Sequence, residues 1–107
     1  MYSLGYNPVM NTIHTSKIFA DWFSGLRDRA AKHRIQMRID RAEEGNFGDC
    51  APVGSGVSEM RIHIGAGYRV YFTQFGIKIF VLLAGGDKST QQADIATAIE
   101  LAKQLKG

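Results

Sequence analysis

The spacing of apolar positions changes along the chain, and each change marks a predicted element. After Ser16, a candidate cap, Ile18, Phe19, Trp22, Phe23 and Leu26 recur at steps of one and three, the stripe of an amphipathic helix. A second helix is predicted from about Arg29 to Glu44. Ala31, Ile35, Ile39 and Ala42 mark its buried side, while Arg27, Arg34, Arg38 and Arg41 lie mostly elsewhere. Gly45 and Asn46 stop it. Helices joined by so short a link form a helical hairpin. Residues 46–56, with Gly48, Pro52, Gly54 and Gly56, read as loop.

The period then falls to two. Val57–Ile64, Tyr68–Gln74 and Ile77–Ala84 read as three strands, parted by Gly65-Ala66-Gly67 and Phe75-Gly76, links that suit antiparallel neighbours. The third is apolar on both sides, as a strand covered on both faces should be. A last helix spans Ser89–Leu105, with Ser89 and Gln92 at capping-box spacing and Ile95, Ala98, Ile99, Ala102 and Leu105 in one stripe. A short strand around Val9–His14 precedes everything else, and residues 1–10 read as a loose lead-in. The expected fold is α+β in the order β-α-α-β-β-β-α: one domain over residues 1–107, its helical hairpin packed on a small antiparallel sheet.

Alternation turns this order into a map of side chains. With Ala66 at the centre of the first turn, Met60, Ile62 and Ile64 share the core side with Tyr68, Val70 and Phe72. The opposite side gathers Glu59, Arg61 and His63 beside Arg69, Tyr71 and Thr73, with Arg61 facing Tyr71 and His63 facing Arg69. A slip by one residue would bury the arginines, so the register is constrained. Lys78 joins this side at its far end, and Lys88 sits just beyond the third strand. A solvated face with a Glu59–Arg61 pair would look similar. So would a face kept open for a polyphosphate, which guanidinium forks grip bidentately.

Composition narrows the possibilities without deciding them. At 45% hydrophobic and 21% charged residues the chain can build a core, and its net charge of +3 tolerates a polyanion without requiring one. A single cysteine, Cys50, allows no internal disulfide, which suits a reducing cytoplasm. The longest apolar run, Ile79 to Ala84, is far short of a membrane helix, and no signal segment is visible. His14, His33 and His63 lack metal-ligand spacing, so neither a metal nor another cofactor is expected. Gly85-Gly86-Asp87-Lys88-Ser89-Thr90 lacks the glycines of a nucleotide-binding P-loop; a helix N-terminus with one lysine suits a single phosphate instead.

Several blocks also resemble a known family. They are Gly45-Asn46-Phe47-Gly48-Asp49, Gly56 to Ile62, Gly65 to Phe72, and Leu82-Leu83-Ala84-Gly85-Gly86-Asp87-Lys88-Ser89-Thr90-Gln91 with Asp94, Ile95 and Ala98. Together they resemble the HigB-like, phage-related branch of the RelE/ParE toxins, from about Phe19 to Leu105. The resemblance implies a cytoplasmic growth-arrest toxin neutralised by a cognate antitoxin, commonly one with a helix-turn-helix. Operator DNA would be reached only through the antitoxin complex, and no membrane would be involved. It further implies a metal-free endonuclease acting on messenger RNA at the ribosome. Arg61 and Arg69 match the strand arginines of that pattern, and Lys88 matches the lysine after the last strand.

On this reading Arg69 clamps the scissile phosphate with Arg61 assisting, and His63 moves protons. Tyr71 stacks on a base or orients the hydroxyl. Lys88 and Lys78 bind outer phosphates. One departure keeps other activities open: the chain ends Glu100 to Gly107 without the tyrosine or histidine that several RelE-type enzymes carry there. A ParE-like poison of DNA gyrase, or a non-catalytic module that binds antitoxin or nucleic acid, fits the same scaffold.

Overall fold

A computed structural model describes residues 10–107. Its elements are strand β1 (Thr12–Thr15), helices α1 (Lys17–Ser24) and α2 (Arg29–Glu43), strands β2 (Cys50–Gly54), β3 (Val57–Ile62), β4 (Tyr68–Gly76) and β5 (Ile79–Gly86), and helix α3 (Gln91–Lys106). The α+β class is as expected. The sheet is mixed: its order is β1-β5-β4-β3-β2, and β1 runs parallel to β5 while the other pairs are antiparallel. Val9, where the first strand was expected to begin, and residues 1–9 of the expected lead-in lie outside the described residues.

Ser16 caps α1 as expected, and Asp28, not singled out in the sequence, caps α2. Ser16 Oγ accepts from the Phe19 amide at 3.0 Å, and Asp28 Oδ1 accepts from Ala31 at the start of α2. The last helix departs from expectation. Asp87, not Ser89, takes the capping role, its carboxylate accepting from the Ser89 amide, and a 3₁₀ turn over Lys88–Thr90 leads into α3. The Ser89 hydroxyl itself donates to Asp87, two residues earlier, so it is not free to close the Ser89–Gln92 box.

Alternation sorts the core into two layers. Phe19, Ile35, Ile39, Met60, Ile62, Val70, Phe72 and Leu82 pack between the helical hairpin and the sheet. On the other face Val57, Tyr71, Leu83 and Ala84 pack under Ala98 and Ala102 of α3. Tyr71 pairs with Ala84 and Phe72 with Leu82, a bulge that leaves Leu83 and Ala84 both beneath α3.

Strand β1 is secured at both ends. The Thr12 amide donates to the Lys78 carbonyl at 2.7 Å, and the Ser16 amide donates to Leu82 at 2.9 Å. Buried Asn11 donates to the Ala42 carbonyl through its side chain and to Glu43 through its backbone. Strand β2 was read as loop because it contains Pro52 and ends at Gly54. It is an edge strand, the one place in a sheet where a proline is tolerated.

Candidate functional site

The expected register is two residues off, and the faces survive the shift. Arg61 pairs with Arg69 and Glu59 with Tyr71, because the β3–β4 turn centres on Gly65 rather than Ala66. Gly65 and Gly67 carry φ of +54° and +78°, and the Gly67 amide donates to the Ile64 carbonyl at 3.0 Å. A side-chain-bearing residue adopts that backbone only with strain. A two-residue shift preserves pleat parity, so Glu59, Arg61, Arg69 and Tyr71 still share one side.

That side is not an open face. Helix α3 lies across it, and Tyr71 is completely buried beside Ala98 and Ala102, which corrects its expected place as a base-stacking surface residue. Its hydroxyl has no hydrogen-bond partner among the described residues. Burial, followed by the Glu59 and Asp94 charges, pushes the phenol up to about 12. A raised phenol value means that the folded chain holds the proton more tightly than the unfolded one. Its contribution to stability is therefore full below pH 10 and lost as pH rises from 10 through 12.

Tyr71→Phe is accordingly expected to raise stability by about 1 kcal/mol, by removing an unpaired buried hydroxyl. It should also flatten the alkaline part of the stability profile. Urea melts at pH 7 and across pH 10–12 check both effects; a marked loss of stability at pH 7 would show that the hydroxyl is paired after all.

What remains accessible is a chain of alternating charges at the β2–β3 edge. His63 Nε2 lies 2.6 Å from Asp49 Oδ2, and Arg61 Nη1 donates to Asp49 Oδ1 at 3.0 Å. Arg61 Nε donates to Glu59 Oε2 at 3.0 Å, and Arg69 Nε lies 3.3 Å from Glu59 Oε1. The Arg69 contact is close enough for ion pairing but lacks hydrogen-bond geometry, which leaves its Nε–H unpaired among the described residues.

Side-chain exposure grades the series: 73% for His63, 34% for Arg61, 13% for Arg69 and 5% for Glu59. His63 and Arg61, with Asp49 at 44%, are the members that can meet a ligand. With the imidazole neutral, two guanidinium groups balance two carboxylates, so the series has no net charge.

Asp49 is the member that sequence reasoning missed, because it lies in the stretch read as loop. Its position is built from several contacts. Phe47 inserts with ring centroids 4.8 Å from both Phe72 and Phe80, and Arg38 donates to the carbonyls of Phe47, Asp49 and Arg61. The Arg61 amide then donates to the Asp49 carbonyl at 2.9 Å. Hydrogen bonding from His63, reinforced by Arg61, holds the Asp49 carboxyl below the usual range near 3.8. The ion pairing is thus present at neutral pH and lost only as pH falls through that lowered value. In the neutral tautomer whose Nε2–H donates to Asp49, the Nδ1 of His63 is a free acceptor.

The lysines part company. The aliphatic stem of Lys88 lies along Gly67, where a Cβ would come within 3.1 Å of it, so Lys88 stands at the β3–β4 turn near the charged series. Lys78 is exposed in the β4–β5 turn, at the opposite end of β5. Eight strand residues put roughly 26 Å between the two ends. Lys78 therefore lies away from the other site residues.

The neighbouring Gly85-Gly86 pair serves packing. A Cβ on Gly85 would run into the Trp22 ring, and one on Gly86 into the Asp94 carboxylate, which Thr90 Oγ1 engages at 2.6 Å. Trp22 is thus a core residue, as its helical stripe implied. Cys50 is an exposed free thiol. Among the described residues no three His, Cys, Asp or Glu side chains converge to hold a metal ion, and no helix is long and apolar enough to cross a membrane.

Comparison with known proteins agrees with this architecture. A protein of Haemophilus influenzae is 46% identical over 93 residues, spanning 87% of this chain and 94% of that one. Residues 21–106, from α1 through α3, match the family described as Phage derived protein Gp49-like (DUF891). The chain belongs to this Gp49-like family, a toxin-like family related to RelE and HigB.

Proposed function

We propose that the protein is the toxin of a type II toxin–antitoxin system, that it cuts messenger RNA, and that a cognate antitoxin neutralises it. Family membership supports the toxin role and the existence of a partner antitoxin. The observation that carries the RNA chemistry is the exposed His63–Asp49 pair beside Arg61, with Lys88 at the adjacent turn.

In this reading Asp49 fixes the imidazole, and His63 Nδ1 takes the proton from the ribose 2′-hydroxyl as it attacks the neighbouring phosphate. The outward N–H groups of Arg61 receive the charge that develops on phosphorus, a role worth about 2.7–4 kcal/mol for a preorganised donor. Lys88 meets an outer phosphate. Arg69, largely buried against Glu59, acts behind Arg61 as a positioning group rather than as the clamp itself. The strand breaks at the 5′-oxygen, which takes a proton from water to become a 5′-hydroxyl, and leaves a 2′,3′-cyclic phosphate. Neither metal nor organic cofactor takes part, and the substrate is messenger RNA on the ribosome. The antitoxin carries a helix-turn-helix and brings the pair to operator DNA.

Induction in growing cells, followed by mapping of RNA 5′ ends, tests the proposal. The unmodified chain should produce new codon-linked ends, and His63→Gln should reduce them at least about 100-fold without loss of the fold. Growth arrest with no new ends would eliminate the nuclease.

One observation favours a second reading. Tyr71 is sealed under α3, and both sheet arginines are already matched by carboxylates, which suits a scaffold that binds without cutting. A gyrase poison of the ParE type would then inhibit supercoiling by purified gyrase. Normal supercoiling at high protein concentration would dispose of it.

A further inference from the structure

The cationic surface of this molecule is not where the site is. Residues 27–41 carry six cations (Arg27, Arg29, Lys32, Arg34, Arg38 and Arg41) and two carboxylates (Asp28 and Asp40), a net of +4 in a chain whose total is +3. Everything outside residues 27–41 therefore sums to −1. The charged series on the sheet is itself neutral, as described above. Beyond Lys88 at the β3–β4 turn, the concentration of positive charge that a polyanion approaching His63 and Arg61 would meet is on α2.

The geometry of α2 fits that task. Ala31, Ile35, Ile39 and Ala42 are buried, so the rest of the helix faces outward. Arg34, Arg38 and Arg41 follow at i, i+4 and i+7 along one flank. Arg38 is turned inward and donates to the carbonyls of Arg61, Phe47 and Asp49, which fixes that flank against the edge of the candidate site. Arg34 and Arg41 stand exposed on either side of it, about 10 Å apart along the axis at 1.5 Å per residue.

An ordinary solvated helix offsets such cations with carboxylates one turn away. Here the residues four positions from Arg34 are Ala30 and Arg38. Among the described residues Arg27, Arg29, Arg34 and Arg41 make no ion pair. A like-charged row costs a few tenths of a kcal/mol per pair, a cost that a bound polyanion would remove.

We infer that the outward flank of α2, centred on Arg34 and Arg41, is a second RNA-binding surface that holds phosphates of the strand whose scissile bond lies at His63 and Arg61. The inference rests on the RNA reading of that site. RNA is favoured over an acidic protein surface because the two cations at the centre of the flank, Arg34 and Arg41, are arginines, whose planar forks match phosphate oxygens. The row is also continuous with the place where phosphate chemistry is proposed. Contacts of this kind position the strand and carry no sequence preference.

Fluorescence anisotropy with the full chain and two labelled 12-nucleotide RNAs of unrelated sequence, across 50–300 mM NaCl, is the test. Wild type should bind both. The double variant Arg34→Gln/Arg41→Gln should bind both about tenfold more weakly at 100 mM salt. Its slope of log affinity against log salt should be shallower by about 1.4, from two lost single-strand phosphate contacts. Lys103→Gln, on α3, should change neither.

Unchanged affinity and slope in the double variant would overturn the inference while leaving the cleavage reading to the RNA-end experiment. So would a double variant that keeps its RNA affinity but no longer copurifies with a coexpressed antitoxin, since the surface would then belong to an acidic protein. Failure of wild type to bind either RNA at 50 mM salt would overturn it as well. New RNA ends lost in His63→Gln, together with an unaffected double variant, would separate the two proposals.

Discussion

Gly85→Ala should be severely destabilising, by about 3 kcal/mol, the upper end for overpacking a tight core. The added methyl would occupy the space of the Trp22 ring, which is held between Phe19 and Tyr68 at centroid distances of 5.7 and 6.4 Å. Gly85 lies in a central strand and is fully enclosed, so neither backbone nor ring can step aside cheaply. In a domain of this size 3 kcal/mol lowers the melting temperature by roughly 12–20 °C. Calorimetry or a urea titration measures it directly. Trp22→Leu in the same chain should recover part of the loss, because the two residues contend for one volume. Strict additivity of the two changes would refute the steric explanation.

Glu59→Ala should cost a similar amount for a different reason. One carboxylate, almost wholly enclosed, faces Arg61 on one oxygen and Arg69 on the other. Removing it strands the Arg69 guanidinium, 13% exposed, without a counter-charge. Breaking a buried pair from one side typically costs 3–5 kcal/mol, and the partial exposure of Arg61 places this case near 3. The double variant Glu59→Ala/Arg69→Met should be more stable than Glu59→Ala alone, since it no longer holds an unmatched charge. Urea midpoints of the two variants decide the matter, and equal midpoints would mean that Arg69 reaches solvent when Glu59 is absent.

These two residues also show what the amino-acid pattern could and could not convey. Alternation placed Glu59, Arg61, Arg69 and Tyr71 on one side correctly, because a two-residue error in the turn leaves parity intact. It could not say which element covers that side. The stripe on α3 demanded an apolar partner, and Val57, Tyr71, Leu83 and Ala84 supply it. A tyrosine among arginines reads as accessible until the covering helix is placed.

Asp49 escaped for the opposite reason. It lies in the bend just before β2, a brief edge strand containing Pro52, and is held there by Arg38 and Phe47 from outside, so nothing in the local spacing announces it. The α2 arginines were noted only as the unburied side of a helix. Their importance emerged once the sheet arginines proved to be neutralised.

The parallel seam between β1 and β5 also bears on when the protein can act. Ser16 donates its hydroxyl to the Leu83 carbonyl across 67 positions of sequence. The first strand thus has no partner until β5 has been synthesised. Long-range pairings of this kind form late in folding. A nascent copy would therefore lack its completed sheet until residues 79–86 have emerged.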